Sequence, residues 1–244
     1  MKICGVIPIR AGSKRFPEKG LALLKGKEIV LHVLDRCRQY RHFERLIVAT
    51  DDVRIGEIAA RHGGEVFYSQ EEYRNGSERV ADAVTNISCD ICVDIQGDEV
   101  FITSEAIGQT VNQLHQDENI VVATAVFPIE RDEDLHDTNL VKVLLDKQNR
   151  AIAFSRNPIT SNGSTPTNYG HVGIYAYRRE FLMRYPTLAQ TKGELEESLE
   201  QLRILESGYK IGAVRLQQPI ISINTPKDLI AANIILSTEG GVKL

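Results

Sequence analysis

The sequence predicts an α/β protein with a mostly parallel central sheet and helices on both faces. Three observations carry that prediction. Short runs rich in β-branched residues alternate with amphipathic stretches through the first half of the 244-residue chain. The first of these runs, Ile3 to Ile9, is apolar enough to be a parallel strand buried on both faces. The composition, 42% hydrophobic and 25% charged, suits one large domain with a sizeable core.

The elements follow in order. After Ile3–Ile9, the apolar spacing predicts a helix over Ile29 to Arg38. Arg45–Thr50 reads as a second strand closed by Asp51-Asp52, Arg54–Arg61 as a helix stopped by Gly63-Gly64, and Glu65–Tyr68 as a short strand. Ser77 to Ser88 reads as a helix with Ser77 as its N-cap. Cys92–Ile95 is the next strand and ends in Gln96-Gly97-Asp98-Glu99.

The second half is less regular. Ile120–Phe127, Val141–Leu145 and Ile152–Phe154 read as strands, and the polar stretch Asn157 to Asn168 as a mobile loop. Val172–Tyr177 alternates like a strand. Leu195 to Leu205 reads as one helix stopped at Gly208, its stripe Leu195, Leu199 and Leu202 facing the core. Ile211–Val214 and Ile220–Ile223 are further strands, and Pro226 opens a last helix. With no internal repeat or linker, residues 1–244 are expected to form a single domain.

Composition narrows the function. A net charge of −4 argues against a broad nucleic-acid-binding face. Cys89-Asp90-Ile91-Cys92 matches a CxxC spacing, but no second Cys or His pair completes a tetrahedral metal site. Cys4, Cys37, Cys89 and Cys92 are therefore expected to be reduced, mostly buried thiols of a cytosolic protein. Arg10 interrupts the first apolar run too early for a signal peptide, and no segment has the apolar length of a membrane span. The expected location is cytoplasmic, without a membrane or nucleic-acid partner.

Against that mild acidity, one segment is locally basic. Arg10, Lys14, Arg15 and Lys19 follow the first strand on a loop that also carries Ala11, Gly12 and Ser13. Such a loop directs backbone N–H groups and cations at a polyanion, and a triphosphate is the natural ligand. A solvated basic loop is the plainer alternative. Its position favours a ligand, because α/β sheets bind theirs at the carboxyl ends of strands. It is neither a Walker A motif nor a G-x-G-x-x-G fingerprint.

Further along, Gln96-Gly97-Asp98-Glu99 offers a strand-end carboxylate. Asp98 suits Mg²⁺, which combines one or two carboxylates with phosphate oxygens and water, while a simple turn remains the alternative. Asn75-Gly76-Ser77-Glu78-Arg79 fits either a base or ribose contact or a plain helix start. Arg156 can grip a carboxylate, His171 on a strand has an ordinary structural reading, and Glu197 and Gln201 share a helix face that fits sugar hydroxyls or solvent.

These segments together resemble the sugar-activating cytidylyltransferases, and most of all the 3-deoxy-manno-octulosonate cytidylyltransferase (CMP-Kdo synthetase) family. The opening pattern Arg-x-x-Ser-x-Arg-hydrophobic-Pro-x-Lys-x-Leu stands at Arg10 to Leu21. The likeness continues through Val48-Ala49-Thr50-Asp51, Asn75 to Arg79, Gln96 to Glu99, Phe154-Ser155-Arg156, His171-x-Gly173-Ile174-Tyr175 and Leu199 to Arg203. Gly12-Ser13-Lys14 is also similar to sialic acid cytidylyltransferases.

The resemblance implies a Rossmann-like nucleotidyltransferase fold. Residues 1–130 would mainly bind CTP, and 131–210 would form a smaller subregion for sugar-acid binding and homodimerisation. It implies transfer of CMP from CTP to the anomeric hydroxyl of a 2-keto-3-deoxy sugar acid, with release of pyrophosphate. Arg10, Ala11, Ser13, Lys19, Asn75, Ser77, Arg79 and Gln96 would surround CTP. Arg10, Lys19 and Asp98 would be catalytic. Arg156, His171, Tyr175, Glu197 and Gln201 would face the sugar acid. Mg²⁺ would sit on Asp98 and on position 224.

At position 224 the chain departs from the family. The motif hydrophobic-Asp-Thr-Pro-x-Asp reads Ile223-Asn224-Thr225-Pro226-Lys227-Asp228, so a neutral amide stands where the family has a metal carboxylate. Val100-Phe101 also replaces the usual Pro and aliphatic residue. These departures leave open three readings: one metal site used differently, another acidic acceptor (a different keto-sugar acid or a phosphonate), or a nucleotide-binding homologue with weakened turnover. Lipopolysaccharide, capsule and secondary metabolism are all open as destinations of the product.

Overall fold

Strand β1 (Ile3–Ile9) has every residue buried and sits near the middle of a nine-stranded sheet. The structure is a computed structural model that describes residues 1–13, 15–69, 72–160 and 167–239. Lys14, and residues 161–166 of the loop expected over Asn157 to Asn168, lie outside the described residues.

After β1 and its loop, a single 3₁₀ turn (Lys19–Leu21) leads to a small hairpin of β2 (Leu23–Leu24) and β3 (Lys27–Glu28). Then come α1 (Ile29–Arg38), β4 (Phe43–Thr50), α2 (Val53–Arg61), β5 (Glu65–Tyr68), α3 (Gly76–Ala83) and β6 (Ile91–Ile95). The order continues with α4 (Ser104–Gln116), β7 (Val122–Pro128), α5 (Asp132–His136), β8 (Lys142–Leu145), β9 (Arg150–Ser155) and β10 (Tyr169–Arg178). The chain ends in α6 (Arg179–Arg184), α7 (Lys192–Glu197), α8 (Gln201–Glu206), β11 (Ile211–Arg215) and α9 (Pro226–Glu239).

The sheet runs β5-β4-β1-β6-β10-β7-β11-β9-β8. Its first four strands are parallel, as their apolar runs predict. β10 then enters antiparallel between β6 and β7, while β7 and β11 pair in parallel. Apolar clusters cover both faces. Ile7, Val93 and Ile95 pack with residues of α1 and α4 on one face; Val6, Cys92 and Tyr177 pack with residues of α3 and α8 on the other.

This topology positions the site. Parallel β1 and β6 release the Arg10 loop and the Gln96–Glu99 turn at the same edge of the sheet. Ile174 of β10 pairs with Ile95, and Gly173 accepts a backbone hydrogen bond from Gln96 at 2.9 Å. The first half of β10 therefore overhangs the end of β6 and brings His171 and Gly173 to the same place.

Several expectations are corrected. The helix expected over Ser77 to Ser88 begins at Gly76 and ends at Ala83. Its cap is Asn75, not Ser77: Asn75 is extended and its side chain accepts the Glu78 N–H, whereas the Ser77 side chain is fully buried. The helix expected over Leu195 to Leu205 is two helices, broken at Ser198 with φ 53°. Arg156 explains the break, because its guanidinium donates to the Glu197 and Ser198 carbonyls that a continuous helix would use internally. Leu199 and Leu202 are buried as expected, but Leu195 is 62% exposed.

Ile220–Ile223 forms no strand. Its Ile223 N–H donates to the Asp98 carbonyl at 3.1 Å, one contact in place of a ladder. Helix α4 was not anticipated. Its cap is Thr103, whose hydroxyl accepts from Ala106 N–H at 3.1 Å, and Ile107, Val111 and Leu114 form its buried face.

Candidate active site

The basic loop is shaped by its own backbone. The Ala11 carbonyl accepts from the N–H groups of Ser13 at 2.9 Å and Glu18 at 3.0 Å. Ala11 N–H donates to Asp51 Oδ1 at 3.3 Å, and Asp51 Oδ2 accepts from Arg79 Nη2 at 2.8 Å. Arg79 also donates to the Ile9 carbonyl and is nearly buried, so it latches the base of the loop. Arg10 is exposed. Glu18, at φ 55°, ends the loop and starts the 3₁₀ turn that carries Lys19.

Lys19 Nζ lies 2.5 Å from Asp98 Oδ2, with the two side chains 14% and 17% exposed. The loop cation and the strand-end carboxylate are thus brought together. Ile223 N–H meets the Asp98 carbonyl, so Asn224 stands beside Asp98. The Asn224 Oδ1 atom accepts from Arg15 Nη2 at 2.9 Å. Asp228, the third residue of α9, forms a capping box with Thr225: its Oδ2 accepts from the N–H groups of Asn224 and Thr225 and from the Thr225 hydroxyl.

Gln96 is clamped in place. Its Nε2 donates to Asp94 Oδ1 at 2.9 Å. A Cβ at Gly76 would meet Gln96 Nε2 at 2.8 Å, and one at Gly173 would meet Glu99 Oε1 at 2.6 Å, so both glycines are needed for the close approach. Asn75 and Ser77 support this side from behind. Asn75 Nδ2 donates to the Tyr185 hydroxyl at 2.9 Å, and Ser77 N–H donates to Glu200 Oε2 at 3.0 Å. The Ser77 hydroxyl pairs with that of Tyr177 at 2.8 Å.

The other side is assembled from separate segments. Arg156 donates through Nε to the Glu197 carbonyl at 2.9 Å and through Nη1 to the Thr138 carbonyl at 3.1 Å. The Tyr175 hydroxyl donates to Gln201 Oε1 at 3.2 Å. The Thr124 hydroxyl lies 2.9 Å from His171 Nε2 and donates to the Ile174 carbonyl at 2.7 Å, so the ring carries its hydrogen on Nε2. Burial lowers the His171 pKa to about 3, which makes it a neutral residue rather than a cationic substrate contact.

A model of the family described as "Cytidylyltransferase" matches residues 4–211. The chain belongs to this cytidylyltransferase family. It is 38% identical over 240 residues to the 3-deoxy-manno-octulosonate cytidylyltransferase of Acaryochloris marina, covering 97% of this chain and 98% of that one. The enzyme of the same name from Chlorobium chlorochromatii is 40% identical, with 92% of each chain covered. Among solved structures, a CMP:2-keto-3-deoxy-manno-octonic acid synthetase complexed with CTP superposes with a TM-score of 0.90 at 31% identity, covering 98% of this chain and 100% of that one. A 4-diphosphocytidyl-2C-methyl-D-erythritol synthase from Anaerococcus prevotii shares the fold, with a TM-score of 0.68 at 15% identity over 97% of this chain and 96% of that one.

In this cytidylyltransferase, Glu197 and Gln201 do not share a helix face, because the break at Ser198 separates them. The Glu197 carboxylate accepts from the Ser155 hydroxyl at 2.9 Å and the Arg156 N–H at 3.0 Å, so it secures Arg156.

Sequence reasoning also missed three acids. Asp94 is fully buried, and its carboxyl is pushed well above the ordinary range by burial and then by Glu200. The Glu200 pKa is raised as well, again by burial. Glu99 is held by Gly173 N–H at 2.8 Å and the Ser222 hydroxyl at 2.7 Å; burial, then the Asp98 charge, moves its pKa to about 7. A carboxylate inside an apolar run, as Asp94 is in Ile91–Ile95, was the available signal.

Among the described residues, no cluster of three or more His, Cys, Asp or Glu side chains is arranged to hold a metal. The donor set still fits Mg²⁺ that arrives with a nucleotide, since such an ion needs only one or two protein carboxylates beside phosphates and water. Asp98 supplies one.

Proposed function

We propose that this cytidylyltransferase transfers CMP from CTP to the anomeric hydroxyl of a 2-keto-3-deoxy sugar acid, with 3-deoxy-manno-octulosonate as the favoured acceptor, and releases pyrophosphate. The observation that carries the reading is the Lys19–Asp98 pair at the shared end of β1 and β6. It supports the reading because a cation suited to phosphate and a carboxylate suited to Mg²⁺ lie together at that end of the sheet.

Arg10 and Lys19 would neutralise triphosphate oxygens, and the Ala11 and Ser13 region would wrap the phosphates. Bound Mg²⁺ would lower the pKa of the attacking hydroxyl and offset charge on the α-phosphate. Gln96, oriented by Asp94, would present its free carbonyl to the ligand. Arg156 would bind the acceptor carboxylate, with Tyr175 and Gln201 along the sugar. Catalysis would then be positioning and charge neutralisation rather than covalent chemistry by the protein.

The reading extends to the division of labour between residues 1–130 and 131–210, to a homodimer formed through the second region, and to action in the cytoplasm. The test is pyrophosphate release from CTP and Mg²⁺ with 3-deoxy-manno-octulosonate. Turnover supports the reading. CTP binding without release from any keto-sugar acid or phosphonate would replace it with a nucleotide-binding homologue that has lost activity.

A further inference from the structure

Arg15 belongs to the basic loop but reaches across to the second half of the chain. Its Nη1 donates to Asn139 Oδ1 at 3.0 Å, and its Nη2 to Asn224 Oδ1 at 2.9 Å. Arg156 meets the same segment from β9, through the Thr138 carbonyl at 3.1 Å. Two guanidiniums from opposite halves of the molecule therefore hang on the adjacent residues Thr138 and Asn139.

That segment is firmly held. Lys142 is fully buried and donates to the carbonyls of Asp137, Leu140 and Arg156. Every acceptor of the two guanidiniums in these bonds is a neutral carbonyl or amide oxygen, and the Glu197 carboxylate is engaged with the Ser155 hydroxyl and the Arg156 backbone. Among the described residues no carboxylate hydrogen-bonds either guanidinium, although the nearby Glu197 charge favours the Arg156 cation. Burial, then repulsion from Arg15, lowers the Arg156 pKa, as two neighbouring cations require. Cations set side by side on neutral supports form a receptor for a planar anion.

We propose that Arg15 and Arg156 together bind the carboxylate of the acceptor, and that Asn224 is a positioning residue that holds Arg15 for this task instead of ligating the metal. The proposal rests on the keto-deoxy sugar acid reading above. The chemistry of such an acceptor fits the location. Its carboxylate is bonded directly to the anomeric carbon, so the receptor has to adjoin the point where the hydroxyl meets the α-phosphorus. Arg15 shares a loop with Lys19, and Asn224 stands beside Asp98, so the receptor lies against the phosphate site. A neutral amide is the appropriate partner for Arg15: an Asp at 224 would pair with the guanidinium and offset the charge the acceptor needs.

The test is steady-state kinetics on the full chain, with CTP and 3-deoxy-manno-octulosonate varied in turn, together with Mn²⁺ binding followed by electron paramagnetic resonance. Arg15→Ala is expected to raise the acceptor KM about tenfold or more, as loss of a charge-assisted contact does, and to leave the CTP KM within about twofold. Asn224→Asp should raise the acceptor KM without tightening Mn²⁺, and should add nothing in an Arg15→Ala background. A rise in the CTP KM alone on Arg15→Ala would overturn the proposal by making Arg15 a phosphate ligand. Tighter Mn²⁺ and faster turnover in Asn224→Asp would overturn it by making position 224 a metal site. If the wild-type chain neither turns over nor binds the sugar acid by calorimetry, the reaction reading falls and the proposal with it. Wild-type turnover unmoved by these variants defeats the proposal alone.

Discussion

The two sides of Asp98 are built differently. On one side stands a contiguous loop, Arg10 to Lys19, whose described residues are exposed or half-buried and are shaped by a few backbone bonds. On the other stands a largely buried polar network: Ser77 of α3, Asp94 of β6, Tyr175 and Tyr177 of β10, Gln201 of α8, and the half-buried Glu200 just before α8. On the function proposed above, the contrast would follow from the ligands. A polyanion is attracted by exposed charge at little desolvation cost. A sugar is a weaker electrostatic target, and recognising it needs preformed, desolvated polar groups. One side can be changed with large effects on chemistry and small effects on folding, and the other side should show the reverse.

The most severe test of that contrast is Asp98→Ala. The backbone of Asp98 accepts from Val100 and Ile223 N–H groups, and both bonds survive truncation. Its carboxylate bonds only Lys19 among the described residues. Turnover should fall about 10³-fold or more, the scale of losing several kcal/mol of metal-assisted stabilisation. The thermal midpoint should barely move. A collapse of the fold would mean that Asp98 is part of the turn rather than of the chemistry.

Arg203→Ala probes the buried side. Arg203 is fully buried and donates to Glu78 Oε1 at 2.7 Å and to both carboxylate oxygens of Glu194. Its removal leaves Glu194 without its buried cation and Glu78 with Arg74 alone, which costs about 3 kcal/mol. Urea unfolding should show that loss. An unchanged midpoint would show that solvent enters this network freely and would remove the contrast between the two sides.

The same contrast explains what the sequence revealed. Ile3–Ile9 and Ile29 to Arg38 are legible to the residue because apolar period and burial agree there. The basic loop and Asp98 are legible because their residues are consecutive and follow strands. The break at Ser198 is not legible, because its cause is Arg156, distant in sequence. Nor is the direction of Arg15, which depends on Asn139 and Asn224. Asp94 and Glu200 meet only after β6 and α8 pack. Helix α4 did carry a signal, Thr103-Ser104-Glu105 ahead of Ile107, Val111 and Leu114, which a stricter reading of caps would have used.

The smallest expected effect sharpens the contrast through pH. His171 sits between Phe154 and Tyr175, and its pKa is lowered to about 3 from a usual value of about 6.5. Above the usual value the ring is neutral in folded and unfolded chains alike, and pH has no effect through this group. Between the two values the unfolded chain binds a proton that the folded chain refuses. Folding stability therefore falls as pH falls through that window, on the order of 1 kcal/mol per pH unit. His171→Gln removes the ionisable group and keeps an amide that can donate to Thr124. Wild type should lose more stability than His171→Gln between about pH 7 and about pH 5, as read from urea midpoints at each pH. Parallel losses in the two proteins would place the ring in contact with solvent and return His171 to the list of groups that can carry charge toward a substrate.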